Sequence, residues 1–291
     1  MKKHFLYIAV AMLLAACAND DTTLDMAGMF SNNGEPVKVR FEQSLAYNAT
    51  VGEQHLDMGS DDYTIYMCSD SHITRNTHKH LDYFIATYNA ASAPKLAFHL
   101  GDIIDAQKNY PCADSIMHLA NGPWFITPGN HDVYFKQWSI YRSYFHTATY
   151  WFDTNNGSKK LDLFICLDSA DGTLGASQTQ WLRELLEKKS KEGYRRIVVF
   201  THTHFWKLDD SQGHTSNFAM EETYELAALF AEYHVDYVWS GHQHSRQSVI
   251  FKGVNYLVLD ASKDSESGLS YLKVDAGDSM IYHYIDYPAK L

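Results

Sequence analysis

Five short apolar runs, at 64–68, 96–100, 124–127, 197–200 and 235–239, are each followed within a few residues by a polar cluster. The clusters are Asp70-Ser71-His72, Gly101-Asp102, Gly129-Asn130-His131-Asp132, Thr201-His202 and Gly241-His242-Gln243-His244. The runs are rich in β-branched and aromatic residues and read as buried strands. Chemically active side chains that recur at the ends of buried strands constrain a chain severely. The strands must lie in open sheets whose carboxyl edges bring distant clusters to one crevice. Helices are expected at 81–88, where Leu81, Phe84, Ile85 and Tyr88 keep helical spacing, and at 179–191 and 221–233. Strand and helix alternate as far as His242, which predicts helices covering the faces of sheets. Beyond Ser248 come β runs without helices, at 248–251, 255–259, 269–274 and 280–285, expected to form an antiparallel meander that closes a second sheet.

The clusters supply carboxylates, imidazoles and one amide, a donor set suited to borderline transition metals. In order and spacing they resemble the calcineurin-like metallophosphoesterases, whose pattern runs Asp-x-His, Gly-Asp, Gly-Asn-His-Asp/Glu, His, Gly-His-x-His. The resemblance spans roughly Tyr63 to His244. It implies an α/β fold, a four-layer α/β/β/α sandwich of two mixed sheets. It implies a hydrolase cleaving phosphomonoesters or phosphodiesters with two divalent transition-metal ions, manganese, iron or zinc. By position, one ion falls to Asp70, His72, Asp102 and His244, and the other to Asp102, Asn130, His202 and His242. Asp102 then bridges, because only a carboxylate offers two anionic oxygens to a pair of cations. Two ions about 3.5–4 Å apart acidify a water and clamp the phosphoryl oxygens, so no side-chain nucleophile is needed. His131 is placed by the resemblance to protonate the leaving oxygen. Asp132 is expected to orient that imidazole or, equally, to cap a helix.

Two positions depart from relatives of this kind. Three residues after the bridging aspartate, the tyrosinate-bearing purple acid phosphatases carry Tyr, whereas this chain has Asp105, so no coloured iron–tyrosinate site and no part in the centre is expected of it. The fourth cluster reads His202-Thr203-His204 where many members have His-x-Pro, and His204 is expected to sit in a loop rather than on substrate.

At the other end, Lys2 and Lys3 precede an apolar run from Phe5 to Ala16 that is too short to span a bilayer and closes on Leu14-Ala15-Ala16-Cys17. This resembles the signal peptide and lipobox of bacterial lipoproteins, with residues 1–16 removed and Cys17 acylated. The expected address is the cell envelope, and Ala18 with Asp20-Asp21 favours the outer membrane. Residues 17–62 are polar and irregular and read as a tether, with an edge strand at 37–41 where Val-Lys-Val-Arg-Phe alternates. The catalytic domain is expected over 63–291. Without Lys2 and Lys3 the chain keeps 22 basic against 35 acidic residues, a net charge of −13, which makes nucleic acid a poor partner. Cys68, Cys112 and Cys166 remain, an odd number that gives no disulfide framework.

Aromatic residues follow two of the clusters: Tyr134, Phe135 and Trp138 after the third, Phe205 and Trp206 with Gln212 and His214 after the fourth. Packing of loops onto the domain is their expected role, ahead of stacking on substrate. A small phosphoester recognised by this domain alone is the expected substrate. The competing class is a non-catalytic surface lipoprotein that keeps the fold as a binding module. A full ligand set with an acid beside it favours the enzyme.

Overall fold

The computed structural model describes residues 34–134, 136–206, 218–267 and 269–290. The signal peptide, Cys17, Phe135, Gln212 and His214 lie outside them. In chain order the elements are α1 (Val37–Val51), β1 (Gln54–Asp57), β2 (Tyr63–Cys68), α2 (Lys79–Ala90), β3 (Lys95–His99), α3 (Tyr110–Met117), β4 (Trp124–Ile126), α4 (Asn130–Val133), α5 (Trp138–Phe145), β5 (Tyr150–Asn156) and β6 (Lys159–Cys166). Then come α6 (Gly175–Lys189), β7 (Arg196–Phe200), α7 (Met220–Glu232), β8 (Tyr237–Ser240), β9 (Gln247–Phe251), β10 (Val254–Val258), β11 (Ser270–Ala276) and β12 (Met280–Asp286).

The strands form two mixed sheets, one ordered β1-β5-β6-β7-β8-β10-β9 and the other β12-β11-β2-β3-β4. Strand alternation builds the layers. In β2, Ile65 and Met67 enter the core between the sheets, while Tyr66 and Cys68 face outward onto α2 and α3. In β7, Val198 and Phe200 point inward and Ile197 and Val199 outward, against α6 and α7. Helix on sheet on sheet on helix is therefore the architecture, as the resemblance implied. The inner layer is aromatic: Phe98 of the second sheet lies 5.0, 5.4 and 5.6 Å from the rings of Phe200, Phe164 and Trp239 of the first. Rings packed edge-on and tilted at these separations fix the spacing of the sheets.

The three expected helices form, as α2, α6 and α7. Two expectations need correction. The run at 37–41 is the first turn of α1, not an edge strand, and with β1 it belongs to the folded body rather than to a tether. The alternation misleads because Arg40 is buried: the inward face of the helix is Val37, Arg40, Phe41 and Ser44, a spacing of 3.6 rather than 2. β1 pairs in parallel with β5 at the edge of the first sheet. The trailing strands are not one meander. The β9–β10 hairpin joins the first sheet through β8, and the β11–β12 hairpin joins the second through β2.

Cys68, Cys112 and Cys166 are free thiols. Trp138, Phe205 and Trp206 are buried, as the packing role requires. Among the described residues no helix is long and apolar enough to cross a membrane.

Candidate metal centre

Every expected ligand lies just past a strand end, and the two sheets share them. β2, β3 and β4 lead into Asp70 and His72, Asp102, and Asn130, whereas β7 and β8 lead into His202 and into His242 and His244. Nine described residues other than glycine have a left-handed backbone, and five are of this set: Asp70, His72, Asp102, His242 and His244. Such conformations cost of order 1–3 kcal/mol each and persist only where the surroundings enforce them. The motif glycines allow the clusters to close on one another. A side chain at Gly129 would collide with the carboxylate and backbone of Asp102, and one at Gly241 with Ser69 and the Asp70 carboxylate.

Among the described residues three groups of ligand atoms, each within 4.8 Å of one another, emerge: Asp70 with His72 and His244, His72 with Asp102 and His131, and Asp102 with His202 and His242. His72 Nε2 stands 3.2 Å from His244 Nε2, and Asp70 Oδ1 is 3.5 Å from that same nitrogen. On the other side, His202 Nε2 lies 3.2 Å from Asn130 Oδ1 and 3.1 Å from His242 Nδ1. Donors bound to one ion at about 2.0–2.2 Å stand about 3–3.5 Å apart, so each group has the span of a coordination shell. Asp102 Oδ2 sits between the groups, 3.7 Å from His72 Nε2 and 3.5 Å from His202 Nε2. Its other oxygen accepts the backbone N–H of His131 at 2.8 Å.

The donors fit a cation on their own terms. Asp70 Oδ1 is fully buried, and its one close cationic neighbour is His244 Nε2 at a long 3.5 Å, a state that a carboxylate oxygen tolerates only opposite positive charge. Burial works against ionisation of Asp70, yet the bond from His244 and the charge of His202 hold it at about 2. Burial likewise opposes a proton on His202, but Asp102 beside it pushes that imidazole up to about 10. The bond to Asp70 pushes His244 up to about 9. Protons on these two rings stand where a metal would supply the charge and displace them.

The far nitrogens of three rings are held from outside. His72 Nδ1 meets Asp105 Oδ1 at 2.7 Å, His202 Nδ1 the Leu100 carbonyl at 2.7 Å, and His244 Nδ1 Glu266 Oε1 at 3.0 Å. An acceptor there leaves Nε2 free to ligate and aims it. Asp105 thus gains a part that the sequence reading denied it. Glu266 went unnoticed, because it sits in the loop between β10 and β11 and no local pattern ties it to His244.

The expected orienting role of Asp132 is not what the geometry gives. Its buried carboxylate accepts the N–H groups of Gly129 at 2.8 Å and of Ile103 at 3.1 Å, capping α4 and locking the loop after Asp102. Burial beside Asp102 pushes it up to about 7. His131 itself is exposed, its ring 4.7 Å from that of His72 and edge-on to it. His204 lies in the loop after β7, as expected, and is buried there, its ring 5.8 Å from that of His242.

A family model for calcineurin-like phosphoesterases matches residues 63–246, well over half of the sequence. The chain belongs to the calcineurin-like phosphoesterase family. Solved structures agree in fold. A purple acid phosphatase from yellow lupin seeds superposes with a TM-score of 0.61 at 13% identity, over 78% of this chain and 52% of the phosphatase. The anchor of the Plasmodium inner membrane complex gives 0.54 at 11%, over 77% of this chain and 84% of the anchor. A Staphylococcus aureus protein described as a 5'-nucleotidase gives 0.51 at 17%, over 79% and 55%. This chain therefore spans about half the length of the lupin and staphylococcal proteins. The family model is that of phosphoesterases, and the groups of His and Asp described above are of the kind that hold a metal ion.

Proposed function

We propose that this phosphoesterase hydrolyses a small phosphomonoester or phosphodiester at a pair of divalent ions, manganese, iron or zinc. The observation that carries the reading is Asp102 Oδ2, within 3.7 Å of ring nitrogens from both ligand groups. Asp70, His72, Asp102 and His244 would hold one ion, and Asp102, Asn130, His202 and His242 the other. When bound, such a pair supplies positive charge to the phosphoryl oxygens and makes a water acidic enough to attack near neutral pH. The remaining work belongs to the chain. Asn130 contributes a neutral oxygen, which leaves net positive charge for the substrate. Asp102 fixes the backbone of His131 and so places its exposed ring over the opening beside His72. A proton held on that ring passes to the departing oxygen as the ester bond breaks.

The metal-loaded protein should therefore cleave nitrophenyl mono- or diesters, and a panel of nucleotides, cyclic nucleotides and sugar phosphates should reveal the natural class. His131→Asn separates the roles. It should retain both ions yet slow alkyl or sugar esters about 10²–10⁴-fold, with little loss on nitrophenyl esters, whose leaving group departs without a proton. Equal losses on both ester types would remove His131 from the acid role, and loss of metal would make it a ligand.

For its setting we propose anchorage through an acylated Cys17 at the outer membrane of a bacterial envelope, supported by Lys2 and Lys3, the apolar run and Leu14-Ala15-Ala16 before the cysteine. Cys17→Ser should abolish labelling by a radioactive fatty acid and leave the precursor uncleaved. Equal labelling of the two proteins would contradict the anchor.

A further inference from the structure

We propose that α1, which lies upstream of the segment matched by the family model, is a working part of the metal centre. Arg40, acting through Asp168 and Ser169, is a positioning residue for His202 and thereby sets the affinity of the half of the site that His202 serves. This rests on the two-metal reading above.

Arg40 is fully buried, which a guanidinium tolerates only when it is paired. Its Nε and Nη2 donate to the two carboxylate oxygens of Asp168 at 2.7 and 3.1 Å, and Nη1 donates to Asp171 at 2.8 Å and to the Glu35 carbonyl at 2.6 Å. A planar fork on a carboxylate fixes distance and angle together. Gln178 of α6 completes the hold on Asp168, accepting its backbone N–H at 2.8 Å and donating to its carbonyl at 2.9 Å.

The next residue, Ser169, carries that position to the ligand. Its Oγ shares a hydrogen bond with the Thr201 hydroxyl at 2.5 Å and accepts the Thr203 N–H at 2.8 Å, and its carbonyl accepts the Thr203 hydroxyl at 2.8 Å. The residues on both sides of His202 therefore hang from Ser169. Strand contacts fix the Thr201 side independently, through the Trp239 carbonyl at 2.9 Å and the Leu167 carbonyl at 2.9 Å. On the Thr203 side, both the N–H and the hydroxyl go to Ser169. The carbonyl of His202 accepts Gly241 N–H at 2.9 Å and its ring Nδ1 meets the Leu100 carbonyl at 2.7 Å, so the backbone leaving His202 toward Thr203 is the part that Ser169 holds. Stability alone does not call for an ion pair here, because an apolar pair of similar volume serves as well or better. What the pair adds is direction, which a metal ligand needs: loss of an outer partner typically weakens metal binding about 10–100-fold.

The test titrates manganese(II) into metal-free protein and follows both the binding isotherm and the electron paramagnetic resonance signal of coupled ions. Ser169→Ala cuts the last link and leaves α1 intact. Arg40→Met cuts the first. Asp162→Asn, in β6 opposite the first residue of β7, reports what a loss of stability alone does. Wild type should bind two ions, and Ser169→Ala should bind one of them at least about tenfold more weakly, with uncoupled manganese at intermediate loading. Arg40→Met should behave alike; if it fails to fold, Arg40→Lys, which keeps the charge and loses the fork, takes its place, and wild-type affinity for both ions in a folded Arg40 variant overturns the part given to α1. Wild-type affinity for both ions in Ser169→Ala, or a loss no larger than in Asp162→Asn, would overturn the relay. A wild type that binds a single ion sinks the two-metal reading instead, and the relay then stands or falls on whether that ion is lost more readily from Ser169→Ala.

Discussion

Asp102→Ala is expected to strip both halves of the metal centre and to lower phosphoester hydrolysis by at least about a thousandfold. Asp102 Oδ2 lies between the two groups of donors, 3.7 Å from His72 Nε2 and 3.5 Å from His202 Nε2. Its second oxygen is committed to the His131 N–H, so the variant also frees the backbone that carries the proposed acid. The fold should survive, because removing a carboxylate from beside Asp70 and Asp132 relieves repulsion among buried negative groups. Metal analysis, turnover and thermal unfolding together form the check. Full metal content with wild-type turnover would defeat the two-metal assignment.

The largest loss of stability is expected elsewhere, from Asp162→Ala. Asp162 is fully buried at the start of the shared stretch of β6 and β7. It receives Arg195 at 2.6 and 3.0 Å, Arg196 at 3.2 Å, and the hydroxyl of Tyr63 from the other sheet at 2.6 Å. Deleting the anion leaves two guanidinium groups and a phenol without their acceptor. Breaking a buried pair from one side costs about 3–5 kcal/mol. In a domain of this size that lowers the melting temperature by roughly 6–20 °C. Metal content should not change, since the residue lies at the end of the strands away from the ligands. A calorimetric scan showing less than about 3 °C of change, or a parallel loss of metal, would contradict this division of labour.

The candidate ligands were legible in the sequence because each follows its strand directly, so local pattern and global position coincide. The long helices were legible for a similar reason, as the apolar faces of α2 and α7 need no distant partner to be recognised. What escaped depended on contacts remote in the chain. Arg40 reads as a solvent-facing residue until Asp168, 128 positions away, makes it part of the core. Glu266 has no meaning without His244 beside it, and Asp105 reads as an absent tyrosine rather than as a partner of His72. Asp132 shows the limit from the other side: carboxylate next to imidazole in sequence suggests a pair, but a four-residue helix turns the carboxylate onto backbone N–H groups. The trailing hairpins each carry strand character, and nothing local says which sheet each one joins.

Because each sheet brings only part of the ligand set, the gap between the sheets is itself a chemical dimension. Phe98, Phe164, Phe200 and Trp239 act as a gauge block between them. A thinner or looser filling would move His202, His242 and His244 as a body relative to Asp70, His72 and Asp102, changing the reach of the bridging carboxylate without touching a single ligand. On the proposed reading, an interior far from any ligand is therefore held to the tolerance of a metal bond.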